Sequence, residues 1–139
     1  MTVSPPDLEL WLTEYVRAAA AADSLDVDVD NKEPPELQLP LPRPLIVIRD
    51  DSGPRLDHTT FDRSIGATVL AGTRLFAKPA GDIARWLSGV LNDEAIVLAQ
   101  GSPIAAVDWS GSNGPFAVPE QLDVARQYQT AQYVVSGSW

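Results

Sequence analysis

"LIVIRDDSGPRLDHTTFDRSIGATVLAGT", residues 45–73, is the stretch whose reading decides the fold. Leu45 to Ile48 is an unbroken aliphatic run, the pattern of a central strand covered on both faces. It runs into Asp51-Ser52-Gly53-Pro54, strong turn chemistry, and the chain stays too polar for a core as far as Asp62. Ile65, Ala67, Val69 and Ala71 then alternate with Ser64, Gly66, Thr68 and Leu70 as a returning strand. The stretch therefore predicts a β-hairpin whose tip, residues 50–62, projects from the body.

Upstream, Ser4-Pro5-Pro6-Asp7 reads as a helix start, with Ser4 as N-cap, Pro5 in the first turn and Asp7 answering in a capping box. The helix is expected from about Pro5 to Ala22. Leu8, Trp11, Leu12, Tyr15, Val16 and Ala19 form one apolar stripe, with Glu9, Thr13, Glu14 and Arg17 on the solvent side. Leu25, Val27 and Val29 alternate with acids as a short edge strand. Five prolines between residues 33 and 44 then impose an extended connector, residues 23–44 overall, whose Leu37, Leu39 and Leu41 share one side.

Downstream, a second helix is expected over about Pro79 to Asn92, with Ala80, Ile83, Ala84, Leu87 and Leu91 on one stripe. "SPIAAVDWSG" and "ARQYQTAQYVV" read as two further strands, joined by a Gly- and Pro-bearing loop that contains the turn "GSNGP". Trp86 and Trp109 are expected in the core, and the tail "SGSW" has no obvious partner within the domain. The fold class that emerges is α+β: a mixed β-sheet with a projecting hairpin, packed against two α-helices, as one domain over residues 1–139. A chain of this length can build a real core, since a domain of roughly 150 residues buries about two thirds of its unfolded surface.

Composition bounds the chemistry. There is no cysteine, which excludes disulfides, thiolate metal sites and cysteine nucleophiles. One histidine, His58, cannot build a multi-imidazole metal site. Ten basic against nineteen acidic residues give a net charge of −9, a field that repels phosphate backbones. No apolar run approaches the roughly 18 residues of a membrane span, and the N-terminus lacks the basic start and apolar core of a secretory signal. A soluble protein made inside the cell, with no membrane partner, is the expectation.

The candidate sites weigh against an enzyme. Asp23, Asp26, Asp28 and Asp30 have the alternate spacing of calcium ligands. Yet Leu25, Val27 and Val29 fill the gaps and no glycine supplies the sharp turn, so a charged edge strand is the better reading. Asp50 and Asp51 are adjacent in a strand end and point to opposite faces, so they cannot grip one bond together; they shape the turn, with Arg49 or Arg55 as ion partner. "GSNGP" lacks the lysine and helix of a phosphate loop. No catalytic, cofactor or metal residue is assigned. The candidates for contact between subunits are Arg49, Asp51, Arg55, Asp57, His58 and Asp62 in the hairpin tip, which repeated around an assembly could form charge-assisted contacts, and Trp139, a C-terminal indole in need of a receiving surface.

Taken in order, "PPDLELWL" (5–12), "VIRDDSGPR" (47–55), "LAGT" (70–73), "DIARWLSGVL" (82–91), "PIAAVDWSGSNGPFAVP" (103–119) and "RQYQTAQYVV" (126–135) resemble the tail terminator proteins of long-tailed bacteriophages, particularly those infecting actinobacteria. These segments span most of the chain; residues 23–44 match least. The resemblance implies a structural virion protein without cofactor, located at the neck on top of the tail and assembled in the host cytoplasm. It implies a homo-oligomeric, six-fold ring that caps the tail tube protein, stops its polymerisation and offers its other surface to the head-side connector or stopper. Genomic DNA would pass through the hole without specific binding. A head-side connector or stopper of the phage neck is the alternative within the same class, and a small ligand-binding domain or enzyme the alternative outside it.

Overall fold

The computed structural model describes residues 1–139, in the order α1 (Leu8–Ala22), β1 (Asp28–Asp30), β2 (Leu45–Asp50), β3 (Thr60–Ala71), α2 (Lys78–Leu91), β4 (Ile104–Val107), β5 (Asn113–Val118) and β6 (Ala125–Ser136). It is an α+β fold: a mixed six-stranded sheet with two helices. The strand order is β1-β2-β3-β6-β4, and β5 also pairs with β6. Only β1 and β2 run parallel, Asp28 opposite Leu45; every other pair is antiparallel.

The spine is β3 against β6, twelve residue pairs from Thr60↔Ser136 to Ala71↔Ala125. At roughly 3.4 Å per residue it is about 40 Å long. Alternation sorts its side chains: Phe61, Ile65, Ala67 and Val69 of β3 and Ala131, Tyr133 and Val135 of β6 are buried in the large core cluster. Thr68, Tyr128, Thr130 and Gln132 belong to the other face and are half-buried. α1 packs on β1 and β2, and α2 on β3, β5 and β6, so the helices divide one face between them. Burial of Leu8, Leu12 and Val16 and of Ala80, Ile83, Ala84, Leu87 and Leu91 follows the two apolar stripes. Pro79 opens α2, in the first turn where its missing N–H costs nothing.

A smaller cluster occupies the other face near β1. There Leu45, Val47, Leu70 and Val124 are buried, and Leu37, Leu39 and Leu41 of the connector pack over them. The connector is clipped at its start, where Arg126 binds Glu33 through both guanidinium ends (2.7 and 3.1 Å) and also reaches Glu120 at 3.2 Å.

Several expectations are corrected. α1 begins at Leu8 with Asp7 as N-cap, its carboxylate accepting from the Leu10 N–H at 3.2 Å. Ser4 is instead bridged to Ser138 by two 2.9 Å backbone hydrogen bonds, so the tail does have a partner within the domain. Thr13, assigned to the solvent side, is buried, its hydroxyl satisfied by the Glu9 carbonyl at 2.7 Å. Glu9 is not idle either: its carboxylate accepts from the Asp50 N–H and from Asn31, tying α1 to the ends of β1 and β2. β3 begins at Thr60, five residues before the alternation reads clearly, because Phe61 and Arg63 face the core side.

Residues 113–118, expected in a connecting loop, form β5, with Gly114 and Pro115 in the irregularity between Asn113 and Phe116. β4 and β5 run the same way along one edge of β6, as a single strand interrupted by the 3₁₀ turn Trp109–Gly111. The Asp108 side chain caps that turn through the Ser110 N–H at 3.1 Å. Trp109 therefore leaves the strand and is 57% exposed instead of buried. Trp86 packs against the large core, with its indole N–H on Asp23 at 2.8 Å.

Candidate functional site

The hairpin tip gathers most of the residues expected at subunit contacts, and its charges are largely engaged within the chain. Arg49 donates to Asp51 at 2.6 Å and to the Tyr128 hydroxyl at 3.3 Å. Gly66 makes room for this group, since a Cβ there would lie 2.4 Å from the Tyr128 oxygen and 2.9 Å from the Asp51 carboxylate. The Asp57 carboxylate accepts from the N–H groups of Thr59 and Thr60, which hold it below its ordinary pKa. Asp62 accepts from Gln132 with both oxygens at 2.8 Å.

Arg55 meets no carboxylate within the chain, contrary to one of the ion pairs considered for the turn. It donates to the carbonyls of His58 (2.8 Å) and Val3 (3.1 Å), and lies 4.3 Å over the Phe61 ring. Arg63 approaches the same ring at 5.3 Å and binds the Gly53 carbonyl at 2.8 Å. Backbone pairing from Asp51 to Thr60 fastens the tip along its own return. His58 and Leu56 are exposed at the tip, and Trp139 is 76% exposed beside it, after the Ser4–Ser138 bridge; Met1 is also exposed there.

At the opposite end of the β3–β6 spine the turn Gly72–Ala77 leads into α2. Gly72 has φ +65°, and a Cβ there would lie 2.4 Å from the Phe76 carbonyl, so the turn requires glycine. Thr73 and Phe76 exchange backbone hydrogen bonds of 3.3 and 3.1 Å, and the Arg74 N–H is held by Asp123 at 3.1 Å. A fastened turn thus presents Leu75, fully exposed, with Phe76 and, on the adjoining loop, Leu122 also exposed. Sequence reading missed it because "RLFAK" lacks turn residues and continues smoothly into a helix.

Leu98, Trp109 and Phe116 are exposed at separate points before, between and within β4 and β5. The Trp109 ring is fixed by its N–H on the Asn92 carbonyl at 3.0 Å, and Phe116 meets Tyr128 edge-on at 5.8 Å. At the other edge of the sheet, between β1 and the connector, is a groove of about 600 Å³. Apolar side chains such as Val27, Leu37, Leu41 and Leu45 line it together with charges of both signs, Arg17 and Arg43 beside Asp28, Asp30 and Glu36.

The interior is spent on structure. Thr13, Arg63 and Gln129 are its buried polar residues, and every buried side-chain polar atom has a hydrogen-bond partner. Burial raises the pKa of Tyr133, whose hydroxyl donates to the Leu91 carbonyl at 2.6 Å and closes the last turn of α2. No group of three histidine or carboxylate residues converges. What the geometry offers is surface: two ends about 40 Å apart, each with exposed apolar side chains among its residues, and two dissimilar edges. No protein-family model matches the chain, and no curated protein matches it in sequence.

Proposed function

We propose that the chain is a structural virion subunit, a tail terminator that assembles as a ring on the end of a phage tail tube. The observation that supports this reading is that exposed large apolar side chains stand at several separate places: Met1, Leu56 and Trp139 at one end of the spine, Leu75, Phe76 and Leu122 at the other, Leu10 on α1, and Leu98, Trp109 and Phe116 before, between and within β4 and β5. Exposed apolar side chains in several places suit a subunit with more than one contact. A ring subunit stacked between a tube and a connector needs lateral and axial contacts together. The resemblance in residues 5–12, 47–55, 70–73, 82–91, 103–119 and 126–135 supports the same reading, and the net charge of −9 suits a wall past which DNA slides without sticking.

The test is to mix the purified full-length protein with tail tubes and image them in negative stain. The expected outcome is a ring-sized cap on one end of each tube. Uniform decoration along the tube, or no association, removes the terminator reading. Association with a head-side connector in place of tubes transfers the protein to the neighbouring stopper role.

A further inference from the structure

We propose that residues 32–43 of the connector form a hinged strap, which lifts from the sheet as a unit while the rest of the fold stays closed and so uncovers Leu45, Val47, Leu70 and Val124. The device lies within one chain and does not depend on the ring reading.

The way the strap is fastened carries the inference. Residues 32–43 lie outside every helix and strand, and no backbone hydrogen bond joins them to the body. Pro34, Pro35, Pro40 and Pro42 have no N–H to satisfy and keep the path stiff and extended, so lifting breaks no ladder and moves one piece. Two side-chain fasteners remain. Arg126 holds Glu33 at 2.7 Å, and Arg43 holds Asp28 at 3.0 Å in a pair about half exposed on both sides. Exposed pairs of this kind hold weakly. Within the strap only Leu37, Leu39 and Leu41 are even half-buried; every other residue is exposed.

What lies beneath is far better buried than its cover. Leu70 and Val124 are 0% and 1% exposed and Leu45 and Val47 8% each, with the three strap leucines packed over them. A segment with few apolar contacts and no backbone bonds belongs to the low-stability end of a fold and opens before the whole. Both ends of the strap are fixed and act as hinges: the Asn31 side chain donates to Glu9 at 3.1 Å, and the Pro44 carbonyl accepts from the Asp28 N–H at 2.9 Å. Slack is ample. Asp30 pairs with Val47 in the parallel ladder, so the chain has only to return to Leu45, about 8 Å away, whereas an extended segment of this length reaches about 40 Å. The groove of about 600 Å³ between strap and β1 already parts the two along one side, and lifting widens it without disturbing the β1–β2 pairing.

The native chain has no cysteine, so a single introduced thiol reports opening in the full-length protein. Val47→Cys places it under the strap, and Val69→Cys places it in the large core on the helix side. Each variant is treated with a thiol reagent in native buffer and in rising, sub-denaturing urea. Val47→Cys should react at least about tenfold faster than Val69→Cys and with a much weaker urea dependence, because lifting the strap exposes far less surface than unfolding does. Adding Glu33→Gln should speed the Val47→Cys reaction about two- to fivefold while its urea dependence stays weak. Equal rates and equal urea dependence at the two positions would mean that only global unfolding uncovers the cluster, and reaction of Val47→Cys as fast as a free thiol would mean that nothing covers it; either overturns the proposal. No acceleration by Glu33→Gln would exclude the pair with Arg126 as the latch. If Val47→Cys fails to fold, a glutamate-specific protease is applied to the unmodified protein: first cleavage after Glu36 with the body intact supports the strap, and first cleavage after Glu14 or Glu120 overturns it.

Discussion

Single residues set the most testable energetics. Tyr133 lies at 0% exposure, and its hydroxyl is the partner of the Leu91 carbonyl, one of the acceptors that a helix end leaves unsatisfied. Tyr133→Phe should cost about 1–2 kcal/mol, read as a melting temperature lower by about 3–6 °C. Glu33 differs because its effect depends on pH. Its hydrogen bonds to Arg126, followed by the Coulombic attraction of that guanidinium, outweigh partial burial and depress its folded pKa. A depressed carboxylate stabilises the fold fully above its unfolded value of about 4.3 and ceases to do so as pH falls through the folded value. Glu33→Gln should therefore cost under about 1 kcal/mol at pH 7, given its solvent exposure, and the difference from the native protein should vanish in acid. Thermal melts of both proteins across pH check the sign. Some residues were unreadable for a physical reason. Ser4 and Asp7 both offer good caps to α1, and the choice is made by Ser138, distant in the chain, which engages the Ser4 backbone.

Among the elements, those with strong periodicity were legible. The apolar stripe of α2 matches its buried residues one for one, β2 declares itself by an unbroken aliphatic run, and β3 and β6 by alternation. β5 was hidden because Gly114 and Pro115 are turn residues by local chemistry, and a Pro that lacks an N–H is tolerated where a strand lies at an edge. Trp109 was misplaced because Asp108 caps a 3₁₀ turn at the point where the strand pattern seemed to continue. The hairpin tip was correctly polar, but its polarity is used inward: Arg55 braces the N-terminal segment and covers Phe61. Arg55→Ala should lower stability by about 1–2 kcal/mol, and hydrogen exchange should quicken at Ser4 and Ser138 while the centre of the β3–β6 spine stays protected. Unchanged exchange at both serines would mean that the bridge holds without its brace. For the candidate surfaces, sequence could mark Trp139 as exposed but could not find Leu75 at the surface of the Gly72–Ala77 turn, since exposure of a leucine is decided by what fails to cover it.

For the whole molecule, acids exceed bases and most of the cations are paired: Arg43, Arg49, Arg63, Arg126, Lys78 and Arg85 all sit on carboxylates. Duplex DNA should therefore show no mobility shift with the isolated protein at physiological salt, and micromolar, salt-sensitive binding would reveal a basic surface that the fold does not display. The Ser4–Ser138 bridge gives the molecule a built-in address label. Whatever precedes Ser4 and whatever follows Ser138 leaves the body side by side, at the hairpin-tip end and far from the Gly72–Ala77 turn. A bulky fusion attached at either point would shield the same pole and spare the other. A matched pair of such fusions thus becomes a compass: the partner that either one displaces belongs to the tip end, and the partner that both leave bound belongs to the end where Leu75 stands.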